Sequence, residues 1–343
     1  MSVTIKDVAR EVGVAPSTVS RTLQDHPSIS KETKEKVRKA MDKLGYVPNV
    51  AARNLAKKFS NAIGVVFPVL SSTDRKSNPF YLEAITAMNQ EAGKQDVTIS
   101  FASGETLEEL LENVQLMYRQ KRVDGFILLY VRKNDPVLTY LVENNIPHTV
   151  IGQPYQYSNG TSCVDNDNQL LGRTATQYLI EKGHERILFV TNYEKENVFQ
   201  ERFYGYQKSM EESELNPLPY VVLKQPEDYT AFEKILKEQR PTACIAVDDM
   251  FALRVIQLAN LYGYQVPDNL SVISFNNSIF TTLIHPYITS IDIHTEELGK
   301  VAVQQFLLQL KEQEVLKQKV LIPHTLIERE TVLDLKKASK TRK

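Results

Sequence analysis

Ser17, Thr18, Ser20 and Arg21 crowd one short stretch, Val14-Ala15-Pro16-Ser17-Thr18-Val19-Ser20-Arg21-Thr22-Leu23. Small hydroxyls and one fork-shaped cation are the groups that hydrogen-bond base edges and phosphates in a major groove. To act together they must stand on one element. Pro16 opens a helix at a position where its missing N–H costs nothing. Val19 and Leu23, one turn apart, face inward and leave the polar residues outside. Ahead of this helix, Ile5, Val8, Ala9 and Val12 recur at helical spacing, and Gly13 permits the left-handed exit that ends that segment. Helix, glycine turn, helix is a DNA-reading geometry. Two short helices around a glycine also occur in helical domains of other kinds, so the pair alone does not decide.

The next thirty residues narrow the choice. Ser30-Lys31-Glu32-Thr33 begins a third helix, with Glu at the second position rather than the third, an imperfect capping box. Val37, Ala40, Met41 and Leu44 form its apolar stripe and Gly45 its stop. Three short helices then share one small core. After Tyr46, Pro48 breaks the chain and Asn49 caps a fourth helix running to about Lys58. A helix of about two turns is marginal alone. Its apolar side is small alanines plus one projecting Leu55, so it is a linker or a segment that folds on its target. Charge separates the same region: residues 1–60 hold twelve Lys or Arg against six Asp or Glu, and the remainder 29 against 36. A chain of net charge −1 thus hides a +6 head on a −7 body, the footprint of phosphate binding at one end.

Thr-Ile-Lys-Asp-Val-Ala from Thr4, Val-Ser-Arg from Val19, Gly-Tyr-Val-Pro-Asn from Gly45 and Ala-Arg-Asn-Leu-Ala from Ala52 stand in one order at one spacing. The chain resembles the LacI/GalR family of bacterial repressors. The resemblance implies a DNA-binding set of Thr4, Ile5, Lys6, Pro16, Ser17, Thr18, Ser20, Arg21, Tyr46, Asn49, Ala52 and Leu55. It makes the fourth segment a hinge helix whose Leu55 enters the minor groove, where an apolar wedge unstacks a base step and kinks the duplex. One departure is Ala15, where the family often has Ser. Alanine caps poorly, at a cost of about 1 kcal/mol.

From Ala62 onward the pattern changes. Ile63 to Pro68 is a continuous apolar run, the mark of a strand buried on both faces. Strands and helices then alternate: helix 80–94, strand 97–102, helix 107–120, strand 125–130, helix 136–144, strand 148–152. The pattern restarts with helix 170–182, strand 186–190, helix 199–213, a weaker strand 220–223, helix 229–239, strand 243–247, helix 250–262 and strand 270–275. Alternation of this kind makes parallel sheets with helices on both faces. About 270 residues exceed one typical core, so two α/β lobes follow. The fold class is thus a small all-α helix-turn-helix head and hinge helix, then a two-lobed α/β body like that of periplasmic binding proteins. Its expected segments are the head 1–46, the hinge 47–60, the body 61–330 and a basic tail 331–343. The resemblance places lobe crossings near 153–159, 285–292 and 319–323. That gives a first lobe of about 61–155 plus 290–320, with helix 296–313, and a second of about 159–287 plus 323–330.

Ligands in such sheets bind beyond the carboxyl ends of the strands, here between the lobes. Arg202 and Gly205 match the family's Arg-x-x-Gly, and a planar guanidinium there suits vicinal hydroxyls or a carboxylate; a surface ion pair with Glu201 is the plainer reading. Asp248 follows a buried strand where the family often has Asn, and bonds a sugar hydroxyl or caps the next helix; Asp249 reads as a cap. Asn276 stands where the family usually has Asp, keeping an acceptor and gaining donors. Its run Ser-Phe-Asn-Asn-Ser resembles the maltose-operon repressors within the family. Phe80 and Tyr81 open a helix over the cleft and could stack on a sugar ring or simply pack. Gln153 is a further polar candidate.

Other classes find little support. No run of eighteen apolar residues exists to span a membrane, and Lys6, Asp7, Arg10 and Glu11 interrupt any signal region, which predicts a cytoplasmic protein. Cys163 and Cys244 read as packed thiols, the six His show no metal spacing, and no nucleophile is paired with a base. No metal, cofactor or catalysis is expected. The expected partners are near-palindromic double-stranded operator DNA, a second copy of the chain, and a small sugar that releases the DNA, maltose or a related α-glucoside. The alternatives are a catabolite-control regulator using a phosphoprotein corepressor and a sugar-binding module without regulatory DNA binding.

Overall fold

The computed structural model describes residues 3–23, 25–46, 59–69, 77–157, 159–192, 194–224, 228–311 and 316–337. The chain divides into two compact units, Met1–Ser60 and Asn61–Lys343.

The first unit contains α1 (Ile5–Val12), α2 (Pro16–Leu23) and α3 (Lys31–Leu44). Thr4 starts α1 with a capping box: its backbone N–H and its hydroxyl both donate to Asp7 Oδ2, at 2.9 and 2.6 Å. Gly13 ends the helix at φ 73° and Gly45 ends α3 at φ 65°, left-handed conformations that glycine takes without a Cβ penalty. Ser30 caps α3 through Thr33 N–H. The core is Val8, Ala9, Val19, Val37 and Ala40, with Met41 and Leu44 against it. Leu23 does not join that core as expected. It is half-buried, and the inward position one residue earlier is Thr22, whose hydroxyl is silenced by donating to the Thr18 carbonyl at 2.9 Å.

In the second unit, the first sheet has the order β11 (Lys319–Leu321), β5 (Ser162–Asp165), β4 (His148–Ile151), β3 (Gly125–Leu128), β1 (Ala62–Val66), β2 (Thr98–Ala102), all parallel. The second has the order β12 (Thr325–Ile327), β10 (Thr289–Asp292), β9 (Ser271–Phe275), β8 (Ala243–Ala246), β6 (Ile187–Thr191), β7 (Val221–Val222). Only β12 is antiparallel to its neighbour among the described strands. β1, β3, β4, β6, β8 and β9 are buried along their whole length, as strands covered on both faces must be. The helices that cover them include α4 (Pro79–Gly93), α5 (Leu107–Arg119), α6 (Pro136–Glu143), α7 (Asn168–Glu181), α8 (Asn197–Glu212), α9 (Tyr229–Gln239), α10 (Asp249–Leu261) and α11 (Thr295–Lys311). α11 packs on α4 and on the first sheet.

Two expected lobe crossings are displaced. The chain does not leave the first lobe near 153–159, because β5 pairs with β4 in that sheet and the crossing comes at Asn166 and Asp167. β5 is a buried but half-polar strand of four residues, which hydrophobic patterning does not reveal. Likewise β10 pairs with β9 in the second sheet, so the second crossing follows Asp292 rather than preceding it. The third lies between β11 and β12. Asn166 ties the three together: its amide donates to the carbonyls of Ile293 (3.0 Å) and Ile322 (2.9 Å).

Two glycines set how closely α7 and α8 approach. A Cβ on Gly205 would overlap the Gln169 carbonyl oxygen, and one on Gly172 would overlap the carbonyl of Arg202. Backbone cannot yield as a side-chain tip can. Gly205→Ala should therefore lower stability by about 1–3 kcal/mol, read as a drop in the denaturation midpoint; an unshifted midpoint would mean the helices separate freely.

Candidate nucleic-acid face and effector cleft

On the head, Pro16, Ser17 and Arg21 are exposed and Thr18 and Ser20 half-buried along α2. Thr4 and Lys6 are exposed at the start of α1. Ion pairing sorts the cations of this unit. Arg10, Lys34, Lys36, Arg38 and Lys43 each pair with a carboxylate of the head. Lys6, Arg21, Lys31 and Lys39 have no ion pair among the described residues, and of these Lys6 and Arg21 stand on the two helices of the helix-turn-helix. Two unspent cations beside a row of hydroxyls are suited to phosphates. Ile5 and Tyr46 are half-buried and pack on the head's core, so any DNA contact they make comes from the remaining exposed edge. The Ala15 carbonyl accepts from Thr18 N–H at 2.9 Å, but its methyl offers no capping oxygen, as its sequence position implied. Asn49, Ala52 and Leu55 lie outside the described residues.

In the body, a cleft of about 490 Å³ opens at the carboxyl ends of both sheets. Phe80, Tyr81, Arg202, Asp248 and Asn276 line it together. Gln153 does not: its side chain is exposed outside the lining, and its backbone instead bonds Asp165.

Arg202 is the centre of this site. Gly205 and Gly172 bring its helix against α7, where its Nε donates to Asn168 Oδ1 at 3.0 Å. Its Nη1 donates to the Val247 carbonyl at 3.1 Å, and its guanidinium carbon sits 4.3 Å from the centre of the Phe275 ring. It is 5% exposed, so the reading of a surface ion pair with Glu201 is excluded; Glu201 bonds Gln169 instead. Burial pulls the Arg202 pKa down to about 10, while Asp165, Asp248 and Asp249 hold it up. Nη2 donates no hydrogen bond among the described residues, so part of the fork is left for a ligand.

The carboxylates divide their work. Asp165 is 8% exposed and lines the cleft; burial raises its pKa to about 6, against hydrogen bonds from Asn166 N–H and the Asn168 amide and the charge of Arg202. Asp248, not Asp249, caps α10, accepting from Phe251 N–H at 2.7 Å. Asp249 is turned inward, where it accepts from the hydroxyls of Ser274 and Ser290 and from Ser278 N–H, welding β9 to β10. Burial raises its pKa to about 6 as well. Asn276 adopts φ 100° directly after β9, and its side chain has no hydrogen bond among the described residues. Phe80 meets Tyr81 edge-on at 5.6 Å, both half-buried, leaving aromatic surface at the mouth.

Sequence reasoning missed Asp165, Asn168 and Tyr155, which also line the cleft, and the cations Arg132, Lys133 and Lys195. The run Asp165-Asn166-Asp167-Asn168 was the available signal: four polar residues directly after a short buried strand.

Residues 4–49 match the model for bacterial regulatory proteins of the lacI family, and residues 176–332 match a periplasmic binding protein-like domain. The regulator MalR of Staphylococcus xylosus is 32% identical over 96% of this chain and 98% of its own length. The probable maltose operon transcriptional repressor of Staphylococcus aureus has a solved structure that is 25% identical, with a TM-score of 0.73 over 80% of this chain and 98% of its own. The lac repressor dimer bound to operator and an anti-inducer shares the fold across 97% of this chain and 100% of its own, at 24% identity and a TM-score of 0.79. No helix among the described residues is long and apolar enough to cross a membrane. A basic helix-turn-helix, a two-lobed body with a cleft, and relatedness along nearly the whole chain agree: the protein belongs to the LacI family of bacterial regulatory proteins and is a transcriptional regulator, not an enzyme.

Proposed function

We propose that this repressor controls a sugar-utilisation operon and leaves its operator when maltose or a related α-glucoside fills the cleft. A homodimer presents two α2 helices to the halves of a near-palindromic site, and residues 47–60 act as the hinge with Leu55 as the minor-groove wedge. The observation that carries the cleft reading is Arg202. A buried guanidinium held by Asn168 and Val247, with one nitrogen unspent beside Asp165, Asp248 and Asn276, offers the donors and acceptors that vicinal hydroxyls need. Phe80 and Tyr81 supply an apolar wall for a ring face. The maltose assignment draws on the likeness to the staphylococcal protein named as a probable maltose operon repressor.

The mechanism is linkage. Sugar releases DNA only in so far as it binds the non-DNA conformation more tightly. Moving a population from 1:99 to 99:1 needs a preference of about 10⁴-fold, roughly 5.5 kcal/mol. The test is operator binding by the full chain at fixed salt, titrated with maltose, cellobiose, lactose and ribose. Maltose should release operator at a concentration at least tenfold below the others. Equal potency across the panel, or no release by any of them, contradicts the proposal.

A further inference from the structure

The mouth of the cleft carries a charge that neutral sugar does not use. The body as a whole is acidic, with 29 Lys or Arg against 36 Asp or Glu beyond residue 60. Yet Arg132 and Lys133, which follow β3 on the first lobe, and Lys195, just ahead of α8 on the second, line one cleft. All three are exposed and none has an ion pair among the described residues, although Asp135 feels the charge of Arg132 and Glu194 that of Lys195. The lining carboxylates Asp165 and Asp248 lie deeper and are engaged: Asp165 is bonded to Asn166 and Asn168, and Asp248 caps α10. The third lining carboxylate is Glu196, and outside the lining Glu194 and the buried Asp135 stand near Lys195 and Arg132, so the three cations are only partly compensated. Cations gathered from two lobes repel one another unless an anion comes between them.

Two further features point the same way. Asn197, Val198 and Phe199, the first turn of the 16-residue helix α8, line the cleft, and the Glu196 side chain makes no capping hydrogen bond to them. Uncapped N–H groups at a helix start attract anions. Farther along α8 stands Arg202, 5% exposed and with Nη2 unspent.

We propose that the natural effector is an anionic sugar, a phosphate monoester of an α-glucoside, whose phosphate sits between Arg132, Lys133, Lys195 and the start of α8 while its hydroxyls meet Arg202. This rests on the cleft reading above and adds the charge of the ligand to it. Because the cations come from both lobes, one phosphate holds the lobes in a single arrangement, which a neutral sugar of the same length does less well.

The experiment is calorimetric titration of the full chain, without DNA and at fixed ionic strength, with maltose, maltose 6′-phosphate and inorganic phosphate. It is repeated on Lys133→Gln/Lys195→Gln. The phosphate ester should bind at least tenfold more tightly than maltose. Inorganic phosphate should bind more weakly than the ester. The preference for the ester should shrink towards one in the double variant. If maltose binds as well as its ester, or the double variant keeps the full preference, the anionic effector is wrong and the sugar-release reading stands. If neither sugar binds, both fall.

Discussion

Arg202→Ala abolishes release of operator by maltose: the half-releasing concentration rises by at least one hundredfold. The loss has two sources. Removing a charged donor from a buried hydrogen-bonded site costs about 1.5–3 kcal/mol of ligand binding, a factor of roughly ten to one hundred and fifty. It also leaves Asp165, already pushed up to about 6 by burial, without the cation that favours its charged form. That carboxyl then takes a proton at higher pH and ceases to be a two-oxygen acceptor near neutrality. Stripping one partner from a buried charged set can also cost about 3–5 kcal/mol of folding stability. Arg202→Lys separates the effects, because it keeps the charge and loses the fork that spans Asn168 and Val247. It should show a smaller stability loss and still raise the half-releasing concentration by about tenfold or more. A lysine variant that responds like the parent would place the sugar elsewhere.

Leu55→Ala has the second large effect. If an apolar wedge opens a base step of the operator, the bent duplex wraps more protein surface than a straight one, at an unstacking cost of a few kcal/mol. Truncating the wedge removes that advantage. Specific operator affinity should fall by at least about tenfold, while binding to unrelated duplex, set by phosphate neutralisation and steep in salt, should change little. Competition between labelled operator and random duplex measures both at once. An unaltered ratio of specific to non-specific affinity would remove Leu55 from the interface.

Legibility in the sequence followed the strength of the local pattern. The body helices are legible from apolar periodicity to within about two residues at their starts, because each has a buried stripe many residues long. The mostly apolar, fully buried strands β1, β6, β8 and β9 are equally plain. What escapes is short and polar. β5 is Ser-Cys-Val-Asp, and β11 and β12 are three residues each, defined by their partners rather than by their composition. Missing β5 displaced the first crossing and hid Asp165, which sits at its end. The exchange of roles between Asp248 and Asp249 has a similar origin. Either can cap α10, and only the hydroxyls of Ser274 and Ser290, brought across from β9 and β10, decide which one turns inward. Arg202 stands out because an Arg-x-x-Gly spacing is local. Its partners Asn168 and Val247 are 34 and 45 residues away in sequence, so no spacing could show them.

We propose that the head holds DNA through cations that it does not spend on itself, and the effector response has meaning only if it does. Operator affinity of the full chain should therefore be measured against salt concentration, alongside Lys6→Ala/Arg21→Ala. The parent should give a steep negative slope of log affinity against log salt. The double variant should bind more weakly, with a slope shallower by about one for each phosphate it no longer neutralises. A parent that ignores duplex at low ionic strength, or a variant with the parent's slope and affinity, would contradict it.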